Sequence, residues 1–128
     1  MQNQRRVVIT GVGALTPIGL SAQETWKSLT KGKSGIAPIT AFDVSLFKTK
    51  FGGEIKGFDP ERIIERKEAR KMDLYTQYAI VAAKEAIEDS AMDLEKVDKN
   101  KIGVIYGVGI GGLRTLEEEL FSYADYKD

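Results

Sequence analysis

Cysteine and histidine are both missing from this sequence, and each absence removes a block of chemistry. Without cysteine there are no disulfides and no thiolate metal sites. Without histidine there is no Ser-His or Cys-His nucleophile pair, no imidazole metal ligand, and no side chain that titrates unaided near neutrality as a general base. An excess of either charge is also lacking: 19 basic residues balance 19 acidic ones, for a formal net charge of zero. That argues against nucleic acid as a bulk electrostatic partner, though not against a local basic patch. No run of ~18 apolar residues exists to span a membrane. Arg5-Arg6 ahead of VVITGVGALTPIGL imitates a signal peptide, but Thr10, Thr16, Pro17 and the glycines dilute its apolar region, and no A-x-A cleavage site follows. The expectation is a soluble cytoplasmic protein with no metal and no cofactor.

What is present reads as one globular domain: 128 residues, 42% hydrophobic and 30% charged. Val7-Val8-Ile9-Thr10 is β-branched, short and without alternation, the signature of a strand buried on both faces. It runs into Gly11-Val-Gly13 and a structured loop at Thr16-Pro17. Ser21 with Glu24 three residues on forms a capping box for a helix carrying Trp26 and Leu29 and stopping near Gly32. Gly35 and Pro38 mark an extended connector, and Phe51–Phe58 an edge strand interrupted by glycine. Asp59-Pro60 starts another helix. Asp73 opens the longest one, ending near Ser90. Its centre, Tyr78–Ala83, is apolar on nearly every face, so it is predicted to be buried, with alanines small enough for close approach.

Ile102–Tyr106 reads as a second buried strand. It passes through Gly107, Gly109, Gly111 and Gly112 into a helix with Leu113, Leu116, Leu120 and Tyr123 on one face. Strands alternating with helices give an α/β class with a largely parallel sheet. Two doubly buried strands and an apolar helix need more partners than this chain holds, so further sheet is expected from a continuation or another subunit.

The glycine turn satisfies G-x-G-x-x-G, which opens a dinucleotide reading. That reading needs a ribose-holding acid about twenty positions on, at the end of a second strand. What stands there is Tyr126-Lys127-Asp128, at the tail of a helical pattern. Neither glycine turn continues as the G-K-[ST] of a phosphate-binding loop. The plain alternative is a turn that needs only positive φ angles.

Four separated motifs carry a resemblance: RRVVITGVGALTPIG at Arg5–Gly19, Lys33-Ser-Gly-Ile36, Arg66-Lys-Glu-Ala-Arg-Lys-Met-Asp73, and Gly107-Val-Gly-Ile-Gly-Gly-Leu113. In this order and spacing they resemble the opening of the β-ketoacyl-acyl-carrier-protein synthases, with Ile110 resembling the synthase II branch. The resemblance covers the whole chain. It implies a thiolase-like fold of two similar α/β halves, of which residues 1–128 are part of the first, with a mixed or parallel sheet around a buried helix. It further implies a homodimer that elongates acyl chains by decarboxylative condensation in fatty acid synthesis. Its partners would be acyl carrier protein and its substrates acyl and malonyl thioesters. The family works through a cysteine nucleophile, two histidines and a lysine. None of these has a position here to be carried onto, so no catalytic residue is assigned, and the 128-residue chain is expected to be inactive alone. The alternatives are a non-catalytic chain-length partner subunit of the same fold and the dinucleotide-binding domain.

Two features acquire roles from the resemblance. Ile110, the bulkiest side chain in the glycine turn and β-branched, would line the acyl pocket and admit longer chains by moving; as a plain sequence feature it reads as an ordinary core isoleucine. Arg62–Lys71 places like charges four apart, Arg62 with Arg66, Arg66 with Arg70 and Lys67 with Lys71. Each such pair costs an isolated helix roughly 0.2–0.5 kcal/mol, offset in part by Arg62-Glu65 and Glu68-Lys71. A solvated charged face explains such a stripe. The resemblance instead makes Lys67, Arg70 and Lys71 docking residues for the acidic carrier protein.

Overall fold

The computed structural model describes residues 5–127. Its first helix, α1 (Ala22–Leu29), begins as the local chemistry dictates. Ser21 Oγ accepts from the Glu24 amide at 3.1 Å, and the Glu24 carboxylate reaches back one residue past the cap, to the Leu20 amide at 2.8 Å. The helix ends in a Schellman arrangement. Gly32 stands at φ +66, its amide donating to the Leu29 carbonyl and the Lys33 amide to that of Ser28. Eight residues are too few for a helix to persist alone, and side chains tie this one down: Ser28 Oγ donates to the Ile18 carbonyl at 2.7 Å and Thr25 shares a hydroxyl contact with Thr16 at 3.0 Å.

β1 (Ile36–Pro38) and β2 (Phe51–Gly53) pair antiparallel, Ile36 opposite Gly53 and Pro38 opposite Phe51. This edge ribbon is the only sheet among the described residues. Beside it Glu54 accepts from the Thr40 amide, the Thr40 hydroxyl and the Ala41 amide at 2.9, 2.8 and 2.9 Å. These bonds hold its carboxyl below the ordinary glutamate value. Asp59 caps a single 3-10 turn at Pro60–Arg62, and α2 (Arg66–Ala69) is one further turn.

α3 (Leu74–Asp89) is the spine. Ile64, Ala69 and Val81 form the buried core, with Leu15, Phe58, Met72 and Ile80 packed against it. Phe58 meets Tyr78 edge-on at 4.8 Å, and burial raises the Tyr78 hydroxyl above its usual pKa. The alanines of α3 do receive a close neighbour, but it is extended backbone. A Cβ on Gly11 would strike the Ala86 carbonyl, and one on Gly13 the Ala82 carbonyl. Two carboxylates on the same helix satisfy this backbone: Asp89 accepts from the Val12 amide at 2.9 Å, and Glu85 accepts from Ala14 and from Ala22 at 2.8 Å each. α4 (Leu113–Lys127) follows the glycine turn.

Three expectations are corrected here. Val7–Thr10 and Ile102–Tyr106 form no strand; Val7 is 89% and Ile105 99% exposed. A strand exists only through ladder bonds to a neighbour, and no described residue supplies one. The parallel sheet is therefore not formed among the described residues, where the only pairing is antiparallel. Finally, α3 is half-buried and not enclosed: Val81 alone is buried, and Ala79, Ile80, Ala83 and Ile87 line an open, almost wholly apolar hollow of about 540 Å³ with Val104. The apolar face of α4, with Leu113, Leu116, Leu120 and Tyr123, is likewise more than half exposed.

Candidate functional site

Ile110 sits on the rim of a cleft of about 570 Å³ between the end of the basic segment and the start of α4. Arg70, Met72 and the first turns of α3, with Asp73, Leu74, Tyr75 and Tyr78, form one wall; Ile110–Thr115 and Glu118 form the other. Ile110 is 77% exposed, so its side chain is free to change rotamer.

The glycines around Ile110 divide by function. Gly112 alone has a positive φ, +73, which reverses the chain into α4 at no steric cost. Gly111 is there for space, because a Cβ would come within 2.8 Å of the Tyr75 ring. Gly107 and Gly109 have nothing within 4 Å of such an atom. The dinucleotide reading requires a strand leading into this turn, and Ile102–Tyr106 make none. The acid it needs would fall at Tyr126–Asp128, the last residue of which lies outside the described ones.

The basic segment is not one helix. Arg62 belongs to the 3-10 turn and α2 spans only Arg66–Ala69, so the pair Arg62–Arg66 is not a helical i,i+4 pair. The chain breaks between them and each arginine takes an acidic partner: Arg62 with Asp59 at 3.5 Å and Arg66 with Glu61 at 3.2 Å. Lys71 binds Glu68 at 2.7 Å. Lys67 and Arg70 are exposed and enter no ion pair among the described residues. Arg70 shares its cleft with Ile110, whereas Lys67 lies outside it. Across the cleft Arg114 holds Glu118 at 2.7 Å, which raises the guanidinium pKa.

Sequence reasoning missed Asp73, Tyr75 and Thr115 as site residues. Asp73 read only as a helix start; here its carboxylate accepts a hydrogen bond from the Thr115 hydroxyl. It missed Glu85 and Asp89 as well, although two acids four apart on an apolar helix were a usable signal. No group of acidic side chains among the described residues is arranged to hold a metal ion, and no helix among them is long and apolar enough to cross a membrane.

The cleft thus sets Ile110 of the glycine turn opposite Arg70 at the end of the basic segment. Residues 4–127 match the family model described as "Beta-ketoacyl synthase, N-terminal domain", and the chain belongs to this family. Within it the chain is similar to proteins named 3-oxoacyl-[acyl-carrier-protein] synthase 2. It is 45% identical to that of Synechocystis sp. over 116 residues and 47% identical to that of Vibrio cholerae over 115. It is 48% identical to that of Staphylococcus aureus over 117 residues. These alignments cover 90–91% of this chain and 28% of each relative, so the chain spans just over a quarter of their length. Among solved structures, the ishigamide ketosynthase/chain length factor matches with a TM-score of 0.66 at 35% identity over 73% of this chain and 23% of that one. A type II PKS acyl-carrier protein in complex with its ketosynthase (AntDE:AntF) matches with a TM-score of 0.54 at 28% identity, over 71% of this chain and 23% of that one. The thiolase-like α/β fold expected from the motifs is the fold of these neighbours.

Proposed function

We propose that this chain is the N-terminal part of a 3-oxoacyl-[acyl-carrier-protein] synthase 2, which lengthens acyl chains by decarboxylative condensation with a malonyl thioester. The carrying observation is the 45–48% identity to proteins of that name over nine tenths of the chain. In this reading residues 1–128 form part of the synthase N-terminal domain. The cysteine, histidines and lysine of the chemistry lie in a later segment, and the exposed segments Val7–Thr10 and Ile102–Tyr106 and the hollow on α3 are covered by it. Ile110 is one wall of the acyl tunnel. Lys67, Arg70 and Lys71 receive the acidic carrier protein, a partner supported by the solved ketosynthase that binds one. The active form is a cytoplasmic homodimer.

The test is elongation of an acyl-carrier primer with malonyl-carrier protein, followed by mass spectrometry of the product. The complete synthase adds two carbons, and the 128-residue chain adds none. Elongation by the short chain, or none by the complete protein, refutes the assignment.

The ishigamide neighbour, whose name couples a ketosynthase to a chain length factor, favours a second reading as a chain-length partner subunit. The residue at the family's nucleophile position decides: cysteine makes the protein the enzyme, and its replacement makes it the partner.

A further inference from the structure

Asp73 occupies the N-cap position of α3, yet its side chain makes no capping bond there. An aspartate so placed ordinarily accepts from an amide of its own first turn. Here the carboxylate accepts instead from the hydroxyl of Thr115, 42 residues on, in the first turn of α4. Its Oδ2 lies 3.1 Å from where a Gly112 Cβ would stand. Two residues further, Tyr75 fills the space beside Gly111. Both residues after Ile110 are thus backed by the start of α3, while Ile110 itself is exposed. From the same turn of α3, Gln77 Nε2 donates to the Ala69 and Met72 carbonyls at 2.9 and 3.0 Å, tying down the end of the basic segment. The first turn of α3 therefore brackets the basic segment and the Ile110 turn together.

We propose that Asp73 and Tyr75 are positioning residues that hold the Ile110 turn in fixed register with the basic segment. Ile110 then sorts acyl lengths by its rotamer and not by drift of the whole turn. A charge-assisted bond at one end and an aromatic wedge at the other restrain a loop whose preceding glycines, Gly107 and Gly109, meet nothing. The inference rests on the reading of Ile110 as a wall of the acyl tunnel.

The experiment compares kcat/KM for long and short acyl-carrier primers in the complete synthase. Asp73→Ala and Thr115→Val each change the long-to-short ratio by about tenfold, the factor one charge-assisted hydrogen bond carries. The double variant changes it no further, because both substitutions remove the same bond. Thr115→Ser, which keeps the hydroxyl, retains the parent ratio. Gly111→Ala, which drives a methyl group into the Tyr75 ring, shifts the ratio too. A lower melting temperature or lower overall rate with an unchanged ratio is a merely structural effect and overturns the proposal. Should Asp73→Ala fail to fold, Thr115→Val at its exposed position decides alone. Ile110→Phe is measured alongside. If it moves the ratio and the Asp73 and Thr115 variants do not, the positioning role falls and the acyl-wall reading stands. If it leaves the ratio unmoved, the acyl-wall reading falls and this proposal with it.

Discussion

Replacing Glu85 with glutamine tests how the N-terminal backbone is held on α3. The carboxylate accepts two amide hydrogens, from Ala14 and from Ala22, at 2.8 Å each. The Ala22 amide is one that no turn of α1 can satisfy, because it lies at the helix start. Glutamine offers a single acceptor oxygen, and its NH₂ then faces the other amide, donor against donor. A hydrogen bond to a charged group is worth about 1.5–3 kcal/mol. One such bond is lost and the remaining one becomes neutral. Both sites are only part-buried, so water replaces some of the loss, leaving a local cost of about 2 kcal/mol. That is roughly a 30-fold rise in the opening equilibrium of this segment. Amide hydrogen exchange of the complete synthase, read at Ala14 and Ala22, should accelerate by about this factor, with amides in the middle of α3 unchanged. Unchanged exchange at both amides would mean that the carboxylate is incidental and that glycine packing alone seats the segment.

Four further outcomes follow from the geometry. Ile110→Phe in the complete synthase should suppress turnover of long primers more than short ones, and equal loss for both would remove Ile110 from the acyl path. Lys67→Glu, at an exposed cation in no ion pair among the described residues, should weaken carrier-protein binding roughly fivefold at low ionic strength and much less at high salt; an affinity that ignores the substitution places the docking face elsewhere. Gly13→Ala should destabilise by about 1–3 kcal/mol, because its Cβ meets the Ala82 backbone carbonyl and no rotamer relieves that; a melting temperature equal to the parent's would refute the close approach. Glu54 is held below the ordinary value of 4.5 by Thr40 and Ala41. Its contribution is therefore full above the unfolded-state value and is lost as pH falls through the lower folded-state one. NMR titration should show the Thr40 and Ala41 amides shifting with a midpoint below the ordinary value of 4.5, and a midpoint above it would contradict the clamp.

Local chemistry was legible wherever a few neighbouring residues decide the outcome. The Ser21 cap, the Gly32 stop and the Asp59-Pro60 turn follow from residues within one turn of the backbone they serve, and the bounds of α3 from its apolar run between Asp73 and Ser90. The start of α4 at Leu113 was equally plain. The basic segment misled because like charges at helical spacing imply a helix only if the helix continues. Here it breaks after Arg62 and each arginine finds its own acid. In the glycine turn a shared residue type concealed different jobs: Gly112 reverses the chain, and Gly111 makes room for Tyr75.

By itself the sequence determined α1 with its cap and stop, the bounds of α3, the start of α4 and the membership of a condensing-enzyme family. Periodicity and capping act over three or four residues, and the family motifs are likewise short and local. Only the tertiary structure decided that Val7–Thr10 and Ile102–Tyr106 find no ladder partner among the described residues, since a strand is a property of two segments and not of one. It alone turned Glu85 and Asp89 toward the backbone of Val12, Ala14 and Ala22. It also brought Asp73 to Thr115 across 42 residues, a contact whose partner no local pattern can name.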